Sequence, residues 1–334
     1  MSHHNSMSRR RPVSGIYVAA LTAVVSGVSV FVNSYGVQRV SSPLVYTTSK
    51  NIVAAVILLA AWTWGTRALG RRGPSLSREG APRDAATSRR ALRVTGLGRA
   101  LALGYVGVVG GGLAFVLFFN GLARSQPASA AFWRDTLVPE VALLAVFFLK
   151  ERLTGWNLVA LALLVAGEIL ATGGVGHLGA RPGEIDIVAS SALWALEIVV
   201  AKSLLADTAP AAVAAVRMGV GATTLLLYLA ASGRVGALLA LDAHQLWWVA
   251  VTGTLLALYV ATWMIALSRA RALDVTSILV GAAVVTWALQ AIAGSSSHAP
   301  AALGLVLIGT GTLLTLVAAA MRRPDHRGAL GPRP

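Results

Sequence analysis

One dense knot of reactive side chains stands out in the sequence. Trp133, Arg134, Asp135, Pro139 and Glu140 fall within eight residues. Trp133 and Glu140 are seven residues apart, two helical turns, and so share one face of a helix. Pro139 has no backbone N–H, so it kinks a helix and frees a carbonyl beside Glu140. The set offers an aromatic plate, a carboxylate able to bind a cationic group or a proton, and a guanidinium able to bind a substrate carboxylate or phosphate. Lys50, Glu197 and Arg217 are the other ionisable groups of this kind, with Trp194 one helical turn before Glu197. Other chemistries are excluded. The chain has no Cys, which removes disulfides, Cys-ligated zinc and thiol nucleophiles. Its six His are scattered without metal-ligand spacing. Neither His-Glu-x-x-His nor clustered Asp occurs, so no metal and no cofactor are expected. Gly110-Gly111-Gly112 lacks the strand-turn-helix setting and the Lys-Ser/Thr pair of a phosphate loop, and reads as close helix packing or a flexible gate.

The elements that must position these residues follow from composition. Of 334 residues, 56% are hydrophobic and 12% charged, and mean hydropathy is +0.71. That charge content is about half that of a soluble domain, which excludes a soluble enzyme, and the apolar content excludes disorder. Ten apolar stretches are long enough to cross a hydrocarbon core of about 30 Å. They lie near 14–34, 43–66, 98–123, 128–149, 155–173, 185–205, 210–232, 246–267, 273–294 and 301–321. They are continuous rather than alternating, and in lipid a helix satisfies its own backbone, so the reading is an all-α integral membrane protein of ten transmembrane helices. The run from Ile16 follows Arg9–Arg11 and reads as a first span rather than a cleaved signal peptide.

The formal charge of +15 alone would fit nucleic acid. Placed on the spans, it orients the chain instead. With the N-terminus cytoplasmic, 21 of the 28 Lys and Arg fall on the cytoplasmic side and four on the other, which puts both termini inside and assigns no nucleic acid. Nine of the 21 lie between Arg67 and Arg99, eight of them in the basic loop 67–97. Lys50, Arg134 and Arg217 stay within the spans, where a charge costs at least about 2.5–3.5 kcal/mol. Glu140, some twelve residues into the fourth span, lies roughly 18 Å deep. Lys50 is expected to pair with Asp135 or Glu140, and Glu197 with Lys202 or Arg217. Arg134 and Asp135 point about 100° apart on a helix and are not expected to pair on one face. Glu168 reads as structural or as an oligomer contact. Glu151 reads as a helix cap or a partner of Arg152, and Asn33, Asn120 and Gln290 as cross-helix hydrogen bonders.

The second half echoes the first. Pro43 opens the second span and Lys50 follows by seven; Pro210 opens the seventh and Arg217 follows by seven. Phe118–Ala123 ends the third span much as Trp263–Ser268 ends the eighth. Five spans per repeat forces opposite insertion, an arrangement of secondary transporters with a site near the midplane. The organisation expected is a cytoplasmic tail (1–13), a first repeat (14–173), a linker (174–184), a second repeat (185–321) and a second cytoplasmic tail (322–334).

Phe148-Leu149-Lys150-Glu151-Arg152-Leu153-Thr154 resembles the GERLT turn between spans four and five of EamA-type transporters, in the drug/metabolite transporter superfamily. Pro139, Ala166-Gly167, Ser42-Pro43 with Lys50, and Gly183-Glu184-Ile185 leading to Ala192–Ala195 fall where that pattern has its markers. Lys150 replaces the usual Gly. The second half has Ala293–His298 in place of a Glu turn, and Val280–Ala283 where a span-nine proline would match Pro139. The resemblance implies ten helices as two inverted five-helix repeats, with a central cavity. It also implies a secondary-active transporter, and the excess of Arg over Lys, 25 to 3, reads as the coding bias of a GC-rich bacterium, so a bacterial plasma membrane is expected. The expected activity is export of a small polar metabolite, such as an amino acid, by alternating access, with a proton or counter-substrate as the coupling species. Efflux of a cationic drug is the alternative, favoured if Glu140 and Glu197 are unpaired; a membrane-embedded enzyme is the remaining class. The path is expected to use Glu140, Arg134, Asp135, Lys50, Trp133, Glu197, Trp194 and Arg217, in a lipid-embedded monomer or homodimer.

Overall fold

The computed structural model describes residues 13–40, 42–70, 96–125, 127–171, 182–294 and 302–322. The basic segment 71–95, both tails and the Ser295–His298 run lie outside them. Every regular element among the described residues is helical. In chain order they begin with α1 (Val13–Gly36) and α2 (Pro43–Gly70). A single rod follows, made of α3 (Gly96–Tyr105), a π-helical stretch (Val106–Leu113) and α4 (Ala114–Leu122). Then come α5 (Pro127–Asp135), α6 (Leu137–Leu149) and α7 (Gly155–Ala171). The second half holds α8 (Pro182–Leu204), α9 (Pro210–Ala231), the short α10 (Val235–Leu239) and α11 (Ala243–Arg269). It closes with α12 (Ala272–Val280), α13 (Ala282–Ile292) and α14 (Ala302–Met321).

Eight of these rods are long and apolar enough to cross a membrane, counting α12–α13 as one. Neither of the other two apolar stretches forms a single helix of that length. Helix α7 has 17 residues, and the stretch expected as a fourth span is two helices separated at Thr136. The expected sixth span starts at Pro182, three residues early, because proline suits the first helical turn where no N–H partner is needed. Large apolar side chains such as Trp64 and Phe147 point outward, so much of the hydrophobic composition covers the outside of the bundle.

Packing pairs the two halves. Helix α1 lies on α11, and α4 on α8; α2 lies against α9 and α11, while the π stretch lies on α9 and α8; α7 packs along α14. Small residues set the closest approaches. A Cβ on Gly111 would come within 2.5 Å of the Arg217 carbonyl oxygen and 2.9 Å of Gly221 Cα, so two backbones touch there. The three consecutive glycines therefore form a packing groove for α8 and α9.

One end of the bundle is tied between halves. Helix α6 ends on Lys150 in the left-handed region (φ 54°), the geometry that explains glycine in the resembled pattern. Gly294 (φ 66°) ends α13 in the same way. Glu151 then caps a helix of the other half: Oε1 accepts from the Ala272 N–H at 2.8 Å and Oε2 from the Leu273 N–H at 3.2 Å. Its ion-pair partner is Arg271 (3.5 Å) rather than Arg152. The Arg152 carbonyl instead accepts from Arg271 Nη2 at 2.7 Å. Lys202 donates to the carbonyls of Leu267 and Ala270 at the end of α11, at 2.6 and 2.7 Å, and so is not the partner of Glu197.

Candidate functional site

The break between α5 and α6 organises the first cluster. Pro139 cannot donate to the Asp135 carbonyl, and the helix is interrupted three residues earlier at Thr136. Side-chain hydroxyls serve the carbonyls around the break. Thr136 Oγ1 donates to the Trp133 carbonyl at 2.7 Å, and Ser191 Oγ of α8 to the Arg134 carbonyl at 3.1 Å. Thr136 Oγ1 also lies 3.0 Å from Glu140 Oε1. Glu140 Oε2 and Trp133 Nε1 are buried with no hydrogen-bond partner among the described residues. Both have unused hydrogen-bonding capacity.

Arg134 and Asp135 are paired, Nη2 to Oδ1 at 2.9 Å, contrary to the 100° argument. The regular helix ends at Asp135, and the long guanidinium arm reaches its neighbour without a shared helical face. The Arg134 side chain is nevertheless 53% exposed, and that of Asp135 20%. Glu168 of α7 hydrogen-bonds Asp135 and so joins this cluster. A small cavity of about 50 Å³ lies between Asp135, Pro139, Glu168 and Val280.

Lys50 pairs with neither Asp135 nor Glu140. Its Nζ donates to Asn33 Oδ1 of α1 at 3.0 Å and sits 5.3 Å from the Tyr46 ring centre. The Tyr46 hydroxyl donates to the same Asn33 oxygen at 3.0 Å. The expected pairings fail because the amide on α1 is within reach one helix back, while Asp135 is already paired with Arg134.

Glu197 and Arg217 are closed on each other. Arg217 Nε donates to Glu197 Oε1, and Nη2 to Oε2 at 3.1 Å, a two-pronged arrangement. Their side chains are 1% and 7% exposed. Trp263 of α11 covers the guanidinium at 5.2 Å and stacks on Tyr259. The Glu197 carboxylate fills the space that a Cβ on Gly110 would need. Trp194 shares this corner but faces elsewhere: its Nε1 donates to the Gly110 carbonyl at 3.0 Å, and its ring meets Phe115 and Phe118.

The structure thus gathers Arg134 and Asp135 with Glu168, ties Glu140 through Thr136 to the Trp133 carbonyl at the break, keeps Lys50 apart on α2, and seals Glu197 with Arg217. Sequence reasoning missed Thr136, Ser191, Tyr259 and Trp263. Tyr259 lies within electrostatic reach of Arg134, Arg217 and Glu197, between the two clusters. The four-residue step from Tyr259 to Trp263, which stacks two rings on one helical face, was the available signal.

Residues 13–173 match the EamA-like transporter family model. A solved crystal structure superposes with a TM-score of 0.68 over 92% of this chain and 99% of that one, at 18% identity, which shows a shared fold. No curated protein matches the chain. The family match through α7, set beside eight membrane-length helices, marks the chain as a multi-pass membrane protein whose first half is similar to the EamA-like transporter family.

Proposed function

We propose that the chain is a secondary-active transporter that exports a small polar metabolite, such as an amino acid, by alternating access, with a proton as the coupling species. The observation that carries this reading is Arg134: a paired guanidinium that stays half-exposed among apolar helices, on the same broken span as a Glu140 carboxylate with an unused oxygen. A charge held open in such surroundings is costly unless a solute or water meets it. Trp133, Arg134, Asp135, Glu140 and Lys50 line the path in this reading. Trp194, Glu197 and Arg217 form its fixed wall, since the carboxylate and guanidinium have already neutralised each other. That sealed pair weighs against efflux of a cationic drug, which would need Glu197 free.

Ten spans in two inverted repeats of five fit the same reading, with both termini cytoplasmic. The pairing of α1 with α11 is matched by that of α8 with α4, while α2 with α9 and α7 with α14 are each self-matched. The break at Thr136 has its counterpart at Gly281 between α12 and α13, and each broken span ends on a left-handed residue. Glu140→Gln tests the path. Transport is lost while membrane expression and folded yield are retained; transport at the wild-type rate would remove Glu140 from it.

A further inference from the structure

Lys50 and Arg217 hold equivalent places with unequal partners. Each is the eighth residue of a helix that opens on proline, and the two helices, α2 and α9, pack together. Each reaches back to the helix before it, and each has an aromatic ring within about 5 Å, a favourable contact for a cation. Arg217 finds the Glu197 carboxylate there and is buried with its charge balanced. Lys50 finds the Asn33 amide, which is neutral, and among the described residues no carboxylate pairs with it. Lys50 and Asn33 are also only partly buried, so the ammonium group has an approach that Arg217 lacks.

An ammonium has three N–H donors. Asn33 takes one, and the Tyr46 ring faces the group without a formal charge. A cation so placed has no formal counter-charge in low-dielectric surroundings, where the attraction for an anion is far stronger than in water. In the second half, the group that meets this need is a carboxylate built into the chain.

We propose that Lys50, backed by Asn33 and Tyr46, is a binding site for a solute carboxylate, which takes the place that Glu197 holds against Arg217. The solute class is therefore a carboxylic acid or an amino acid rather than a cation. This assignment rests on the transporter reading for its role, but not for its test.

The test is the melting temperature of the purified full-length protein in sodium acetate against sodium chloride at equal ionic strength. Acetate raises it for wild type and for Lys50→Arg, which keeps the cation. The acetate effect is lost in Lys50→Gln, which removes the cation, and in Asn33→Asp, which gives Lys50 a carboxylate of the chain's own. Two variants with opposite charge logic keep the test decisive if one folds poorly. No acetate effect in wild type, or an equal one in Lys50→Gln, overturns the site. That outcome leaves the transporter reading standing if Glu140→Gln still abolishes transport; an acetate effect with no transport to lose would be the reverse failure.

Discussion

What stands beside each buried charge decides its role. Glu197 and Arg217 each bury a charge that only the other can satisfy, so removing one strands the other. Glu197→Leu is expected to cost about 3–5 kcal/mol of stability, while the double variant Glu197→Leu with Arg217→Met recovers most of it. Thermal melts of the two variants in detergent check this, and a double variant no more stable than the single would refute a mutual role. The sequence makes these residue types legible as costly intramembrane charges, and the turn spacing makes Trp133 and Glu140 neighbours. It does not make partners legible. Arg134 reaches Asp135 because the helix stops there, and Lys50 chooses Asn33 because α1 lies closer than the fourth span. Both outcomes depend on where helices end and which ones touch, which residue spacing within one span does not encode.

Helices here are shaped as much by their interruptions as by their apolar runs. Pro139 announces the break before α6, but Gly281 sits in an apolar run that reads as continuous, so the equivalent break between α12 and α13 is not legible in the sequence. The Glu151 turn is legible as a helix cap, but the helix it caps is α12, 121 residues away. Gly110-Gly111-Gly112 is legible as a packing motif, yet its π-helical geometry is not; such stretches arise where neighbouring helices hold the backbone off its ideal path. Gly111→Ala is expected to cost about 1–3 kcal/mol, since backbone atoms on α9 must move. Gly309→Ala, with open space around it in α14, is expected to gain about 0.5–1 kcal/mol from helix propensity. Equal melting temperatures for the two variants would show that the π stretch and α9 do not pack tightly.

For the whole molecule, composition and the ordered apolar runs already specify a multi-pass helical membrane protein, because the charged share is about half that of a soluble domain and the apolar runs are long enough to span a bilayer. The family match and the shared fold agree with that class. The substrate is not legible at this scale, since the same helical plan can surround different solutes, and the distinction rests on a few side chains around Arg134 and Lys50. The central claim is that a small polar solute passes Arg134 on its way across the membrane. Its most direct test is an untargeted comparison of metabolites inside and outside cells carrying wild type, the Arg134→Gln variant at equal membrane abundance, or no protein. The account predicts that wild type shifts one or a few carboxylate-bearing solutes outward and that Arg134→Gln leaves them at the level of cells without the protein. A wild-type profile that matches cells without the protein, or an Arg134→Gln profile that matches wild type, would contradict it.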